Sequence, residues 1–356
     1  MKVIQIIPKL DLAGAEIMCE NLSVALKKLN VDVIVVSLFN KKTIVTKRLE
    51  EKGIKIIYLN KHQGFDPKVI FDLIFILKKE KPDVIHTHIN VLLYTTIASM
   101  FVKVKRKLHT VHSIAEKEAT SFKQKLYYII FKYLNVIPVA LTKEIQNSIV
   151  QRYHLNKKCV PIIYNGIDLH RCIKKLDYEI DNKITFLHIG RFVEVKNHKM
   201  LINAFAKYIK NFPNSQLNLI GDGLLIKEIK NQVKELNLQD KVHFLGQKSD
   251  VFEYLNSADV FILPSIYEGM PMTLIEAMGT GLPIIATNVG GIPSMIENSY
   301  SGILVKCNEY DIENAMKCIN DLRLRKYLGS NANMVSEKFS AINMAKNYVN
   351  IYSMDL

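Results

Sequence analysis

Two carboxylates and two cations carry the strongest chemical pattern in this 356-residue chain. In the stretch YEGMPMTLIEAMGTGLP, Glu268 and Glu276 have seven residues between them. Glu268 falls in a loop, Pro271 fits the first position of the apolar-patterned helix that follows, and Glu276 sits more than a turn inside it. The N–H groups at a helix start lack intrahelical partners and hold phosphate or sugar oxygens. Carboxylates repel phosphate, so these two suit hydroxyls on either side of one. A ligand with hydroxyls, then diphosphate, then more hydroxyls is a nucleotide sugar, with its hexose toward Glu268 and its ribose toward Glu276. The plainer alternative is a carboxylate favouring the helix dipole and an exposed helical Glu. Arg191 and Lys196 follow the strand-like FLHIG with four residues between them. A forked donor beside a point charge suits a diphosphate; two ordinary surface cations are the alternative.

Other candidates are weaker taken singly. In LAGAE (12–16), Gly14 lies between a strand and a helix and lets backbone approach a phosphate. The segment is not G-x-G-x-x-G, and the chain has no P-loop pattern, so a merely structural glycine stands beside that reading. His86, His88, His109 and His112 occur as H-x-H and H-x-x-H without a neighbouring Asp, Glu or Cys partner, which argues against a metal site. His112, at a strand end, reads as a polar group facing a ligand.

These residues need elements to bring them together. Strand-like runs at 2–8, 31–38 and 83–88 alternate with helical spacing at 15–29 and 68–80, and Asp66-Pro67 opens the second helix. The same grammar restarts with strands at 184–190, 216–223, 242–246, 260–265, 283–287 and 302–305. Such alternation predicts an α/β fold of two doubly wound, Rossmann-like domains facing a central cleft, with ligands outside the carboxyl ends of the strands. The expected division is a domain at 1–165, a linker at 166–183 and a second domain at 184–339. LAGAE, HTH (86–88), TVHS (110–113), GRFVEVK (190–196), GDG (221–223) and SIYEGMP (265–271) all fall just after strands, so they converge.

Composition narrows the class further. Five scattered cysteines without a Cys-x-x-Cys pair read as reduced thiols of a cytosolic protein. The N-terminus is apolar for too few residues to be a signal peptide, and no run reaches the ~20 apolar residues of a membrane span. Residues 1–165 hold 27 Lys and Arg against 13 Asp and Glu, whereas residues 166–356 hold 21 of each, so the whole +14 excess lies in the first half. That asymmetry points to an anionic partner, membrane or nucleic acid, or to a plain solvated surface. The segment SFKQKLYYIIFKYLN (121–135) places Phe122, Leu126, Ile129 and Tyr133 on one helical face, with Lys123, Lys125, Tyr128 and Lys132 beside them. With KVKRK (Lys103, Lys105, Arg106, Lys107) it forms a candidate surface for anionic lipid, the alternative being a core helix. The interleaved basic and aromatic motifs of nucleic-acid modules are missing, so no nucleic-acid partner is expected.

GRFVEVKNH, GDG, FLG, YNGID and ADVFILPSIYEGMPMTLIEAMGTGLPIIATNVGG together resemble the retaining glycosyltransferases of family 4, with the GT-B fold. The likeness covers nearly the whole chain and is most specific over 184–305. It implies a hexosyltransferase moving a hexose or N-acetylhexosamine from a UDP-linked sugar to a lipid-linked or saccharide acceptor in bacterial surface-polysaccharide assembly (capsule or lipopolysaccharide). Arg191 and Lys196 would neutralise the diphosphate, with Gly14 approaching it; Glu268 would bind sugar hydroxyls and Glu276 the ribose. Backbone near Gly246 and Gln247 would hold the base. Gly269, Met270, Met272, Thr273 and Leu274 would line the donor, and His112 would contact the transferred sugar. The resemblance also implies metal independence, a closing helix (340–356) that crosses back to the first domain, and a cytoplasmic enzyme peripheral on the inner face of the cell membrane. Ala13 stands where a second glycine is frequent, and Pro271 where many members have glycine and hence an N–H. A GT-B sugar-nucleotide epimerase, or a transferase with a small soluble acceptor, is the second enzyme reading.

Overall fold

The computed structural model describes residues 1–180 and 183–354. The expected linker (166–183) and closing helix (340–356) therefore lie partly outside the described residues, at 181–182 and 355–356. The chain forms two compact units, Met1–Ile167 with Ser340–Leu356, and Asp168–Phe339.

The first unit is built on six parallel strands: β1 (Lys2–Ile7), β2 (Asp32–Ser37), β3 (Lys55–Tyr58), β4 (Val84–His88), β5 (Arg106–Val111) and β6 (Val136–Ala140). They are ordered β3-β2-β1-β4-β5-β6. Runs such as VIQII and VIVVS are buried along their whole length, as strands covered on both faces must be. On one face Met18, Leu22 and Leu26 of the helix Gly14–Lys28 pack with Met344, Tyr348 and Tyr352 of the closing helix Ala341–Ser353. On the other, Leu73 and Leu77 of the helix Lys68–Glu80 pack with Ala98 of the helix Leu92–Ser99.

The closing helix is also fixed by polar groups. His86 bonds the Tyr352 hydroxyl and the Thr110 hydroxyl, each at 2.7 Å, and Thr110 Oγ1 lies 2.8 Å from the Tyr348 hydroxyl. All four side chains are buried, and burial holds His86 well below the usual imidazole range, so it packs as a neutral ring.

The second unit repeats the plan with β7 (Thr185–Ile189), β8 (Gln216–Ile220), β9 (Val242–Gly246), β10 (Val260–Leu263), β11 (Ile284–Thr287) and β12 (Ile303–Val305). Their order, β12-β11-β10-β7-β8-β9, is the same doubly wound sequence viewed from the other edge, again all parallel. Its core joins Phe186, Leu201, Phe205, Tyr208, Leu217 and Ile262. The polar stretch after Ile167 is fastened to this unit: Lys175 Nζ donates to Ala258 O, and the Tyr178 hydroxyl donates to Gly281 O.

Candidate active site

In a doubly wound sheet the crevice lies where the strand order reverses, beyond the carboxyl ends of the two central strands. In the second unit these are β7 and β10. β7 runs into Gly190, Arg191 and a short 3-10 turn (Glu194–Lys196), while β10 runs into Ser265 and Glu268. The amide of Ile266 donates to Val195 O, tying the two loops together. That link sets Lys196 Nζ 2.5 Å from Glu268 Oε1, which also accepts from Ser265 Oγ at 2.6 Å. Both ends of the ion pair are largely buried. Glu268 Oε2 has no partner among the described residues, so lone pairs remain there for hydroxyls.

The surrounding backbone is packed tightly. Gly290 has φ +56° and lies so close to Glu268 that a Cβ would sit 2.0 Å from Glu268 O, while Gly291 N donates to that oxygen. Gly221, at φ +141°, similarly leaves no room for a Cβ against Gly190 O. Beneath the Arg191 loop, His188 donates Nδ1–H to Ile262 O at 2.9 Å, and its Nε2 lies under Gly190. Burial, then His198, holds His188 well below its ordinary range; burial pushes His198 down to about 4. Arg191 is exposed, and its guanidinium makes no ion pair among the described residues.

The helix after Glu268 spans Met272–Gly279. Pro271 is its extended N-cap residue and not its first helical one, so the free N–H groups belong to Met272, Thr273 and Leu274, and no side chain caps them. The side chains of Met270, Met272 and Leu274 are buried, which leaves backbone as their route to a ligand; Gly269 and Thr273 are half-buried. Glu276 is the fifth helical residue, half-buried beside Cys172, whose thiol is pushed up to about 12 by burial and then by that carboxylate. Gly246 ends β9 at φ +71°, with open space where a Cβ would point, and Gln247 beyond it is exposed. A cavity of ≈ 600 Å³, lined by Ile184, Phe212, Ser215 and Arg325, opens at the opposite, amino ends of β7 and β8. Its guanidinium is already engaged by the carbonyls of Tyr178, Ile319 and Asn320.

In the first unit Gly14 is the exposed first residue of its helix, and a Cβ there would meet nothing within 4 Å. His112 follows β5, with Nε2 at 3.3 Å from His88 Nδ1, and burial pushes it down to about 4. Among the proposed lipid-facing residues, Phe122 is 72% exposed, Lys103, Lys105 and Lys125 are exposed, and Lys123, Tyr128 and Lys107 are half-buried. Arg106 corrects the expectation: it opens β5 with only 6% exposure, so it does not reach a surface ligand. The run KVKRK crosses a strand start, and the pleat turns one basic side chain inward.

Several contributors were missed from sequence. Ser265 and Gly290 hold Glu268, and Gln5 and His88 hold His112. A glycine pair after an apolar strand (GG, 290–291) was the available signal for Gly290; the others depend on contacts distant along the chain.

Two nucleotide-binding-type sheets with a cation–carboxylate cluster at one switch point define a class, and comparison narrows it. Residues 12–171 match the family described as Glycosyltransferase Family 4, and residues 174–335 match Glycosyl transferases group 1. The chain belongs to the family 4 glycosyltransferases. It is similar to the UDP-Gal:alpha-D-GlcNAc-diphosphoundecaprenol alpha-1,3-galactosyltransferase of Escherichia coli, 29% identical over 309 residues, 81% of this chain and 79% of that one. It is also similar to an N-acetylgalactosamine-N,N'-diacetylbacillosaminyl-diphospho-undecaprenol 4-alpha-N-acetylgalactosaminyltransferase of Campylobacter jejuni, 30% identical over 206 residues. That match takes 56% of this chain and 55% of the relative, so the chain spans about half of that relative's length. Among solved structures, Anabaena Alr3699/HepE, crystallised with UDP and glucose, superposes with TM-score 0.85 at 20% identity over 99% of both chains. That likeness establishes the GT-B fold.

Proposed function

We propose that this glycosyltransferase moves a hexose or N-acetylhexosamine from a UDP-sugar to a lipid-linked or saccharide acceptor with retention at the anomeric carbon. The observation that carries the reading is the Lys196–Glu268–Ser265 cluster at the β7/β10 switch point. Strands are spaced by ~4.8 Å, so the three steps from β10 across β7 and β8 to β9 span ~14 Å, about the reach of a sugar, a diphosphate and a nucleoside laid along the edge. Glu268 then accepts from sugar hydroxyls. Arg191, Lys196 and the N–H groups of Met272 to Leu274 face the diphosphate, Glu276 the ribose, and Gly246 and Gln247 the base. The bond from the anomeric carbon to the diphosphate oxygen breaks as the acceptor oxygen bonds on the same face. The acceptor proton passes to the leaving phosphate, whose growing charge is stabilised by the cations and amides. Those cations supply the positive charge a metal ion would otherwise bring, which supports metal-independent transfer; EDTA is expected to leave turnover unchanged.

The relatives' printed names support the nucleotide and acceptor class: the E. coli protein uses UDP-Gal and a diphosphoundecaprenol, and the Campylobacter protein a diphospho-undecaprenol. An undecaprenyl acceptor would bring the first unit to an anionic membrane from the cytoplasmic side, a reading its basic excess supports without a nucleic acid. Phe71 and Phe75 project from one face of the helix Lys68–Glu80 with 70% and 67% exposure, and Met100 and Phe101, which follow the neighbouring helix Leu92–Ser99, are also exposed. Phe122, Ile129 and Tyr133 and the lysines Lys68, Lys79, Lys103 and Lys125 of the same unit are exposed too, so this unit presents the apolar and basic side chains that anionic lipid takes. No described helix is long and apolar enough to cross a membrane.

A panel of nucleotide sugars tested for thermal stabilisation reads the donor directly, because a ligand of the folded state raises apparent stability. UDP-sugars should stabilise; equal indifference to every nucleotide sugar would sink the reading.

A further inference from the structure

His112 is not isolated, and its neighbours determine which of its nitrogens carries the proton. Ser23 Oγ has one hydrogen and donates it to Cys19 O at 2.7 Å. It can therefore only accept from Gln5, so Gln5 Nε2 is the group 3.0 Å away and Gln5 Oε1 points the other way. The Cys19 thiol, 3.7 Å from that Oε1, agrees with the same orientation. Gln5 Oε1 lies 2.7 Å from His88 Nε2, and an amide oxygen only accepts, so His88 carries its proton on Nε2. Neutral His88 then has its lone pair on Nδ1, facing His112 Nε2 at 3.3 Å. His112 must donate from Nε2, which leaves its own Nδ1 as an acceptor.

Every member of this chain except His112 is fully buried, and the His86 ring packs against His88 with centroids 4.3 Å apart and planes inclined by 37°, which restricts turning of the ring. Gln5 comes from β1 and His88 from the end of β4, the two strands that flank the first sheet's switch point. None of these residues except His112 has a role in the reading above.

We propose that Gln5 and His88 are positioning residues that hold His112 in the Nε2–H tautomer, so that its Nδ1 accepts a hydrogen bond from a hydroxyl of the bound substrate and donates none to a phosphate. This rests on the reading that His112 touches substrate. The group recognised is a hydroxyl of a sugar.

The test is two-bond 1H–15N correlation on the full chain labelled at histidine, at neutral pH, with His112→Gln used to assign the ring. The wild type is expected to show His112 protonated on Nε2. In Gln5→Glu a carboxylate favours His88 as the imidazolium, whose Nδ1–H then faces His112 and moves the His112 proton to Nδ1. That variant should lose roughly 10-fold or more in kcat with KM for the donor little changed. His88→Asn keeps an amide oxygen where Nδ1 was, and should retain the wild-type tautomer and most of kcat; His88→Ala should lose both. A wild-type spectrum with His112 protonated on Nδ1, or an unchanged His112 in Gln5→Glu, overturns the proposal. If Gln5→Glu fails to fold, the wild-type spectrum and the His88→Asn and His88→Ala pair decide it. Full turnover by His112→Ala would instead remove His112 from the transfer step while leaving the tautomer result standing, so the two failures are distinguishable.

Discussion

At the switch point of the first sheet, Gln5, His88 and His112 form a chain of neutral groups; at that of the second, Lys196, Glu268 and Ser265 form an ionic one. Both sheets have the same strand order, so topology supplies only the place. What differs is which side chains the strand ends carry. An ionic centre can offset the charge of a departing diphosphate, whereas a neutral, tautomer-fixed centre can only orient a hydroxyl. On the proposed reading, the second sheet's cluster serves the leaving group and the first sheet's cluster orients a substrate hydroxyl.

The largest expected effect breaks or confirms that division. Lys196→Ala should lower kcat by about 10²–10³-fold, the usual consequence of removing one donor from a developing anion, and His112→Ala should cost less. Steady-state kinetics on both variants checks this, and the reverse ranking would undo the contrast. Acid lability comes next, and both units should share it. His86, His88, His112, His188 and His198 are all depressed by burial, so the unfolded chain binds their protons more readily. Their contribution to stability is full above the unfolded value of ~6.5 and is lost as pH falls toward the folded values. For His198, pushed down to about 4, that is at most about 3 kcal/mol. Urea unfolding at a series of pH values between 7 and 4 should show falling stability, and a His198→Phe variant should fall less steeply.

Smaller effects sharpen the local geometry. Gly290→Ala strains a left-handed backbone and displaces Glu268, an expected loss of roughly 1–3 kcal/mol in transition-state stabilisation that kcat/KM would report. Replacing Phe71 and Phe75 with Ser should weaken partition onto anionic vesicles by about 1 kcal/mol or more per ring with activity on a soluble acceptor intact, and flotation assays read this. The smallest is Gly14→Ala: its Cβ meets open space, so thermal stability should be unchanged or up by ~1 kcal/mol. Any loss of turnover in that variant measures how closely substrate approaches the backbone there.

What could be read from sequence was local. Strand–helix alternation, the strand-end motifs and the Glu268/Glu276 and Arg191/Lys196 spacings lie within short windows, where period and turn chemistry act. The edge strands β3 and β6 escaped notice because one is a four-residue run and the other contains Pro138, which a strand tolerates at a sheet's edge. The Lys196–Glu268 ion pair joins residues 72 apart, and His88–Gln5 joins residues 83 apart; both depend on strand order, which hydrophobic period does not encode. Arg106 misled for a similar reason, since a basic run looks uniform until the pleat alternates it.

The chain leaves the first unit at Ile167 and re-enters at Ser340, where those residues form a parallel bridge and Ala341 N donates to Ile167 O at 2.7 Å. Exit and re-entry are therefore neighbours within one fold. The second unit is in effect a cassette spliced into a single position, so a replacement segment with similarly spaced ends could be grafted there while leaving the first unit covalently whole, and on the proposed reading such a graft would change the donor nucleotide alone.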